Sequence, residues 1–301
     1  MRGAFILSMG VAFLAGACSC EPQGSSNWAS AVDHAAQQAP QARIVVLDVA
    51  TGHLLAATHL REAGLTLATP GSTLKPLVLY GLVAAGRWDP ARRIACTRNL
   101  RIAGRSLNCS HPASDPMDAR QALAWSCNTY FATVGAMLGN GEMHRLLAAT
   151  GILGQTGLAA DEAAAAFREP RTPDEASLTL LGVDGIQVSP LELALAYRWL
   201  ASQLEAHGGS AAAKVVQAGL ADSASFGIAA TASLGGVSVA GKTGTANLGP
   251  GTPSHGWFAG LVPAEQPRAV VVVYLPAGHG ANAAQVAADL LAHSPMRNPR
   301  P

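Results

Sequence analysis

The sequence predicts an α/β fold with a central, mostly antiparallel sheet, helices on both faces and an additional α-helical lobe. Runs of β-branched and other apolar residues indicate strands near 43–57, 237–246, 256–263 and 268–275. From about 73 to 200 the apolar residues follow helical spacing instead, which indicates the lobe. We expect the functional cleft to lie between the sheet and this lobe.

The ends of the predicted domain follow the same patterns. Residues Arg43 to Ala57 form an expected hairpin, with Thr51 and Gly52 at its turn because glycine tolerates a positive φ. Trp28 to Gln38 precedes the hairpin as an amphipathic helix, and Asn282 to His293 closes the domain as another helix.

Composition limits the classes of function. The chain has 301 residues, of which 49% are hydrophobic and 13% charged, so it can bury a sizeable core. Its formal net charge is +1 and no basic run occurs, which gives nucleic-acid binding no electrostatic support. The alanine-rich stretch from Ala160 to Ala166 predicts a further helix within the lobe.

A first motif places a serine three residues before a lysine. Gly71 breaks the regular structure of the preceding stretch. Ser72 and Lys75 follow it, and an apolar run with helical spacing comes next. Residues at i and i+3 share one helix face, so the amine can take the proton that makes a serine hydroxyl nucleophilic. Pro76 lacks the N–H that would bond the Ser72 carbonyl, and we therefore expect an irregular first turn.

A second motif, Ser126-Cys127-Asn128, lies between two predicted helices, at 117–125 and 129–138. At such a junction Ser126 can relay a proton between Lys75 and a leaving group. The Asn128 side chain has both a donor and an acceptor, which suits a substrate amide. Cys127 is expected to be a small packing residue.

A third motif, Lys242-Thr243-Gly244-Thr245, continues a predicted strand. If this strand lies at a sheet edge, a peptide can add to it as an extra strand, and Gly244 permits the close approach. Lys242 would attract a substrate carboxylate and lower the pKa of Lys75.

The same stretch matches a phosphate-loop pattern from Gly236 to Thr243. That loop requires a strand before the first glycine and a helix beginning at the lysine. Here the strand-like residues lie inside the would-be loop, so nucleotide binding is disfavoured.

In order and spacing, the three motifs resemble the transpeptidase domain of penicillin-binding proteins, and the resemblance extends approximately from Arg43 to His293. It implies a β-lactamase/transpeptidase-like fold. Backbone N–H groups of Ser72 and Thr245 would form the oxyanion hole. The resemblance also assigns roles to the motif residues: Ser72 as acylated nucleophile, Lys75 as its base, Ser126 as proton relay, Asn128 as substrate contact, and Lys242, Thr243, Gly244 and Thr245 as carboxylate and strand contacts.

The activity implied is that of a peptidoglycan D,D-transpeptidase or D,D-carboxypeptidase. Its substrate would be the D-Ala-D-Ala end of the stem peptide, β-lactams would bind covalently as inhibitors, and no cofactor is expected. Two alternatives stay open: a serine β-lactamase, and a non-enzymatic module that senses β-lactams or binds the cell wall. No Glu-x-x-x-Asn pattern follows the second motif, which disfavours one type of β-lactamase.

The first residues indicate export, because a positive charge and a short apolar run precede small residues. Cys18 follows Leu14-Ala15-Gly16-Ala17, which resembles a lipoprotein processing site, so we expect a secreted or lipid-anchored protein in the periplasm or on the cell surface. The predicted organisation is a leader at 1–20, a linker and first helix at 21–40, the main domain at 41–295, and a tail at 296–301.

Two further cysteines, Cys96 and Cys109, flank an expected hairpin with its turn near Ala103 and Gly104. Outside the cytoplasm they predict a disulfide. The chain has no paired Cys-x-x-Cys spacing, and the sequence therefore predicts no metal site.

Overall fold

The computed structural model describes residues 23–112, 116–246 and 252–297. The predicted leader, with Cys18, lies outside the described residues. The helices are α1 Gln23–Gln38, α2 Leu60–Leu65, α3 Lys75–Ala84, α4 Ala119–Ala124, α5 Asn128–Gly135, α6 Glu142–Ala149, α7 Pro173–Leu180, α8 Pro190–Ala206, α9 Ala211–Ser225 and α10 Gly280–Ala292. The strands are β1 Arg43–Asp48, β2 Leu54–Ala57, β3 Arg101–Ile102, β4 Arg105–Ser106, β5 Ala166–Phe167, β6 Ile186–Gln187, β7 Ala240–Ala246, β8 His255–Val262 and β9 Ala269–Leu275. Two 3₁₀ helices span Gly71–Leu74 and Ala230–Gly235.

Five strands form the central sheet in the order β2-β1-β9-β8-β7, with every neighbouring pair antiparallel. Each predicted strand segment contains a strand of this sheet, so the predicted α/β architecture is confirmed. The β1–β2 turn is also as predicted: Gly52 has φ 77°, and its N–H donates to the Asp48 carbonyl at 2.9 Å. β7 lies at one end of the sheet and, among the described residues, is paired on one side only.

The two faces of the sheet build two separate cores, because successive strand residues point to opposite faces. Val45, Val270 and Val272 contribute to a large core shared with the helical lobe. Their neighbours in the chain, such as Ile44 and Val271, contribute to a smaller core beneath α1 and α10. The sheet is therefore buried on both faces.

The segment at 160–166 is not helical, contrary to the alanine-based prediction. The Glu162 carboxylate accepts hydrogen bonds from the N–H groups of Thr156, Gly157 and Ala159. These bonds fold the backbone around the carboxylate and compete with helix formation. Ala166 then begins the short strand β5.

No helix within the described residues has both the length and the apolar character needed to span a bilayer.

Candidate active site

The turn that carries Ser72 is a 3₁₀ helix, Gly71–Leu74, which passes directly into α3 at Lys75. The Lys75 N–H donates to the Ser72 carbonyl, and Pro76 occupies the start of α3. The irregular first turn expected from Pro76 is therefore present. Residues at i and i+3 eclipse one another in a 3₁₀ helix, so Ser72 and Lys75 share a face. Ser72 is partly exposed, whereas Lys75 is fully buried.

Two buried aromatic side chains fix this turn from different elements. The Tyr197 hydroxyl, from α8, donates to the Thr73 carbonyl at 3.0 Å. The indole Nε1 of Trp257, from β8, donates to the Thr69 carbonyl at 2.9 Å. Because each polar tip bonds the backbone beside Ser72, the position of the serine does not depend on α3 alone.

The Lys75 amine lies at the centre of the second motif. Its Nζ donates to the Ser126 carbonyl at 2.9 Å, to Ser126 Oγ at 3.2 Å and to Asn128 Oδ1 at 2.7 Å. Burial lowers the pKa of Lys75 to about 7, an effect that the thiols of Cys127 and Cys109 partly oppose. A neutral amine is thus accessible near neutral pH, as a general base requires.

Local backbone geometry presents Ser126 and Asn128 to this amine. An Asp118 capping box starts α4. After α4 ends, Ser126 adopts the left-handed region with φ 55°, a conformation that costs energy for a non-glycine residue. Cys127 is the buried N-cap of α5, and Asn128 is the first residue of that helix. The Asn128 Nδ2 group donates to the Leu107 and Asn108 carbonyls at 3.1 and 3.3 Å.

The third motif lies on β7, against the Ser72 turn. A Cβ added at Gly244 would clash with the Pro70 carbonyl, and one at Gly71 would lie 2.9 Å from the Thr245 backbone nitrogen. Lys242 is fully buried and donates to the Thr243 carbonyl at 3.0 Å. Its pKa is well below the ordinary value, first because of burial and then because of the nearby Lys75 charge.

The threonine hydroxyls of β7 face different surroundings. Thr245 Oγ1 is partly exposed and accepts a hydrogen bond from the Gly280 N–H at 2.9 Å, which leaves its own proton to donate. Thr243 is almost fully buried, and its hydroxyl lies 3.5 Å from the Ile228 carbonyl. Of the two, Thr245 is better placed to bond a substrate.

The structure thus assembles the predicted residues around one location, with a serine-bearing turn, two buried amines, a strained serine and an edge strand. A cavity of about 1430 Å³ lies elsewhere, and Asp48, Arg120, Lys214 and Arg268 are among the residues that line it. No residue of the three motifs lines that cavity.

Sequence reasoning missed a cluster beside the second motif. Cys96, Cys109, His111 and Cys127 each bring one donor atom within 4.8 Å of the others. Cys96 and Cys109 are free thiols in the structure, so the predicted disulfide between them is not formed there. The hairpin between them is present, as β3 and β4 with a turn at 103–104.

Comparisons with known proteins bear on the family and the fold of the chain. The family model described as the penicillin binding protein transpeptidase domain matches residues 42–292. A crystal structure of Pseudomonas aeruginosa PBP2 in complex with WCK 5153 has a similar fold, with a TM-score of 0.73 and 21% sequence identity. The match covers 88% of this chain and 73% of that one. No curated protein sequence matches the chain.

Proposed function

Because the chain belongs to the family of penicillin-binding protein transpeptidase domains, we propose that it is a serine acyltransferase for the D-Ala-D-Ala end of peptidoglycan stem peptides. The observation that carries the proposal is the Lys75 amine. It is fully buried, lies three residues after Ser72, and donates to Ser126 and Asn128. This arrangement can activate a serine without a cofactor.

In the first half-reaction, Ser72 Oγ attacks the carbonyl carbon of the penultimate D-Ala while neutral Lys75 takes the hydroxyl proton. The C–N bond to the terminal D-Ala breaks. The Ser126 hydroxyl gives its proton to the leaving amine and receives a proton from Lys75. Backbone N–H groups of Ser72 and Thr245 would stabilise the oxyanion. An ester on Ser72 remains.

In the second half-reaction, an amine or a water attacks this ester. The same groups act in reverse order, Lys75 taking the proton of the acceptor and Ser72 recovering its own. An amine acceptor gives transpeptidation and water gives carboxypeptidation.

The substrate would bind along β7. This strand has no sheet partner on one side within the described residues, so a peptide can add to it by main-chain hydrogen bonds. The Thr245 hydroxyl, together with Lys242 in its protonated form, would hold the terminal carboxylate, with Thr243 beside them. The Asn128 amide would hold the peptide on the opposite wall once its bonds to the hairpin carbonyls rearrange.

β-Lactams would acylate Ser72 in the same way, because their strained amide occupies the place of the D-Ala-D-Ala bond. This role places the domain outside the cytoplasm, where its substrate lies. A lipid on Cys18 would anchor the chain to a membrane.

Slow hydrolysis of the acyl-enzyme is expected, which disfavours a β-lactamase. Among the hydrogen bonds of the described residues, no carboxylate bonds Ser72, Lys75 or Ser126. A water near the ester would therefore lack the carboxylate base that β-lactamases of one class use for deacylation.

The first test is covalent labelling with a fluorescent penicillin. Wild-type protein should carry one label on Ser72, and Ser72→Ala should carry none. Ser202→Ala, an exposed serine on α8, serves as the control and should label like wild type. Labelling that survives Ser72→Ala would refute the assignment.

The second measurement follows the products from a stem pentapeptide, with and without an amine acceptor. Release of D-Ala alone would identify a carboxypeptidase, and a cross-linked product a transpeptidase. Rapid turnover of a chromogenic β-lactam would identify a β-lactamase. Stable labelling with no peptide product would identify the binding module.

A further inference from the structure

Four side chains with metal-binding donors converge next to the second motif. Cys96, Cys109 and His111 come from the hairpin segment between α3 and α4, and Cys127 caps α5. Their donor atoms, three sulfurs and one imidazole nitrogen, all lie within 4.8 Å of one another. Cys109, His111 and Cys127 are buried, and Cys96 is partly buried.

The distance between the Cys109 and Cys127 sulfurs fits a tetrahedral metal centre better than a disulfide between these two residues. A Zn–S distance of about 2.3 Å in a tetrahedron places two sulfurs about 3.8 Å apart. The Cys109 and Cys127 sulfurs are 4.0 Å apart. A disulfide would require about 2.05 Å.

His111 supplies an independent observation. Its Nδ1 lies 2.6 Å from the Pro112 carbonyl, which can only accept, so Nδ1 carries the proton and donates it. Its Nε2 then bears a lone pair. That atom is buried, in a residue that is only 3% exposed, and it has no hydrogen-bond partner among the described residues. Leaving such an atom unpaired is costly, and a metal ion would satisfy it. Metal-bound histidines are commonly oriented by this kind of second hydrogen bond.

Backbone N–H groups also point at the sulfurs. The Asn128 N–H donates to Cys109 Sγ at 3.2 Å, and the Arg98 N–H donates to Cys96 Sγ at 3.4 Å. Sulfur is a better acceptor as a thiolate than as a thiol, and the thiolate is the form that binds metals. The cluster is thus prepared to hold negative charge on sulfur.

We propose that Cys96, Cys109, His111 and Cys127 bind one Zn²⁺ as a structural site. Three thiolates and one imidazole form a soft, four-coordinate set, which favours zinc and leaves no position open for a substrate. Binding converts three thiols into thiolates and releases three protons, while the imidazole binds through its existing lone pair. No oxidation is involved.

The metal would connect the β3–β4 hairpin segment to the side of the site that carries Ser126 and Asn128. Cys127 lies between Ser126 and Asn128, both of which accept from Lys75. The hairpin also contacts Asn128 directly through the Leu107 and Asn108 carbonyls. Zinc would therefore hold Ser126 and Asn128 in place. This consequence, unlike the metal site itself, rests on the proposed function.

The test is metal analysis of the full-length chain, produced with zinc and dialysed against metal-free buffer. Wild type should retain about one zinc per chain, which a mercurial reagent should release from the thiolates. Cys109→Ser and His111→Gln should lose stoichiometric zinc. His53→Gln, which alters an exposed histidine outside the cluster, should retain it.

Cobalt provides a readout in wild-type protein, which avoids reliance on variants that fail to fold. Substitution with Co²⁺ should give thiolate charge-transfer absorption and the intense d–d bands of a tetrahedral site. Chelation of zinc should lower the melting temperature and slow penicillin labelling. Wild-type protein that retains zinc but is not labelled by penicillin would count against the proposed function alone.

Three results would overturn the zinc site. One is protein that neither retains zinc nor gives the cobalt spectrum, and another is zinc that persists in both ligand variants. The third is a Cys96–Cys109 disulfide, seen by mass spectrometry in the protein as isolated. That result would instead restore the link predicted from the sequence.

Discussion

At the scale of single residues, the site is defined by two amines that are hidden from water. Lys75 and Lys242 are both fully buried, and neither forms an ion pair among the described residues. Burial of an unpaired ammonium is costly, so each pKa falls and the neutral form becomes accessible. The low pKa of Lys75 is therefore a property of its position in the fold.

This position predicts the pH dependence of acylation. The base must be neutral, and the pKa of Lys75 is about 7, with Lys242, Cys109 and Cys127 as the ionisable groups around it. The second-order rate constant for penicillin labelling should rise up to about tenfold per pH unit below that value and level off above it. Circular dichroism at each pH controls for unfolding. A constant rate from about pH 5 to about pH 9 would contradict this role.

Sequence reasoning identified these residues because their spacing is local or their motif is short. The i to i+3 spacing of Ser72 and Lys75 survives in the 3₁₀ turn. The left-handed conformation of Ser126 was not predictable, because serine has no special preference for it and tertiary contacts impose it. His111 also escaped notice, since a single histidine in a loop has no sequence signature.

At the scale of elements, α8 shows how a buried acidic residue can serve a helix. Ser189 and Glu192 form a capping box at its start, and Glu192 is fully buried. Glu192 Oε2 accepts from the Ser189 N–H at 2.7 Å, whereas Oε1 has no partner among the described residues. Burial raises the pKa of Glu192 to about 7.

A raised pKa in the folded state makes stability depend on pH. The folded protein binds a proton on Glu192 more tightly than the unfolded chain, whose value is 4.5. The contribution of this proton to the free energy of unfolding is complete below pH 4.5 and is lost as pH rises to about 7. Glu192→Gln should remove this loss, which has an upper limit of about 3 kcal/mol. Denaturant unfolding across this pH range measures it.

Glu205→Gln, at an exposed position near the end of the same helix, is the matched control and should retain the wild-type pH dependence. If Glu192→Gln and wild type lose stability in parallel, the titrating group lies elsewhere.

Elements with a local sequence pattern were predictable. A segment whose backbone conformation depends on side-chain hydrogen bonds was not. The strands and α10 follow from apolar runs and capping patterns. The segment at 160–166 has helical composition, yet the Glu162 carboxylate gathers backbone N–H groups and prevents the helix. α5 ends at Gly135, three residues before the predicted end at 138.

At the scale of the whole molecule, the sheet separates two cores with different roles. The large core contains Leu74, from the turn that carries Ser72, and supports the proposed catalytic residues. The smaller core contains Leu290, from α10, and lies on the opposite face of the sheet. Stability and catalysis should therefore be separable by location.

A pair of identical substitutions tests this separation, since Leu74 and Leu290 are both 0% exposed. Leu74→Ala and Leu290→Ala should each lower the free energy of unfolding by about 2–5 kcal/mol. Below the melting temperature, Leu290→Ala should label with penicillin at the wild-type rate, whereas Leu74→Ala should be at least about tenfold slower. Equal slowing by both would show that the two cores are coupled.

The cluster of cysteines beside the second motif could not be predicted from sequence spacing. Cys96, Cys109 and Cys127 are far apart in sequence, and only the fold of the hairpin against α5 brings their sulfurs together. The absence of a paired Cys-x-x-Cys pattern therefore did not exclude a metal-binding geometry.

On the proposed function, the aromatic hydrogen bonds that hold the Ser72 turn bear on how the chain could escape an acylating inhibitor. Tyr197 and Trp257 hold the Ser72 turn from two elements, whereas the Asn128 side chain, on the facing wall, bonds two carbonyls of the single segment that carries the β3–β4 hairpin. Selection by such an inhibitor would accordingly favour changes in the hairpin segment, which can obstruct a bulky molecule without displacing the Ser72 oxygen.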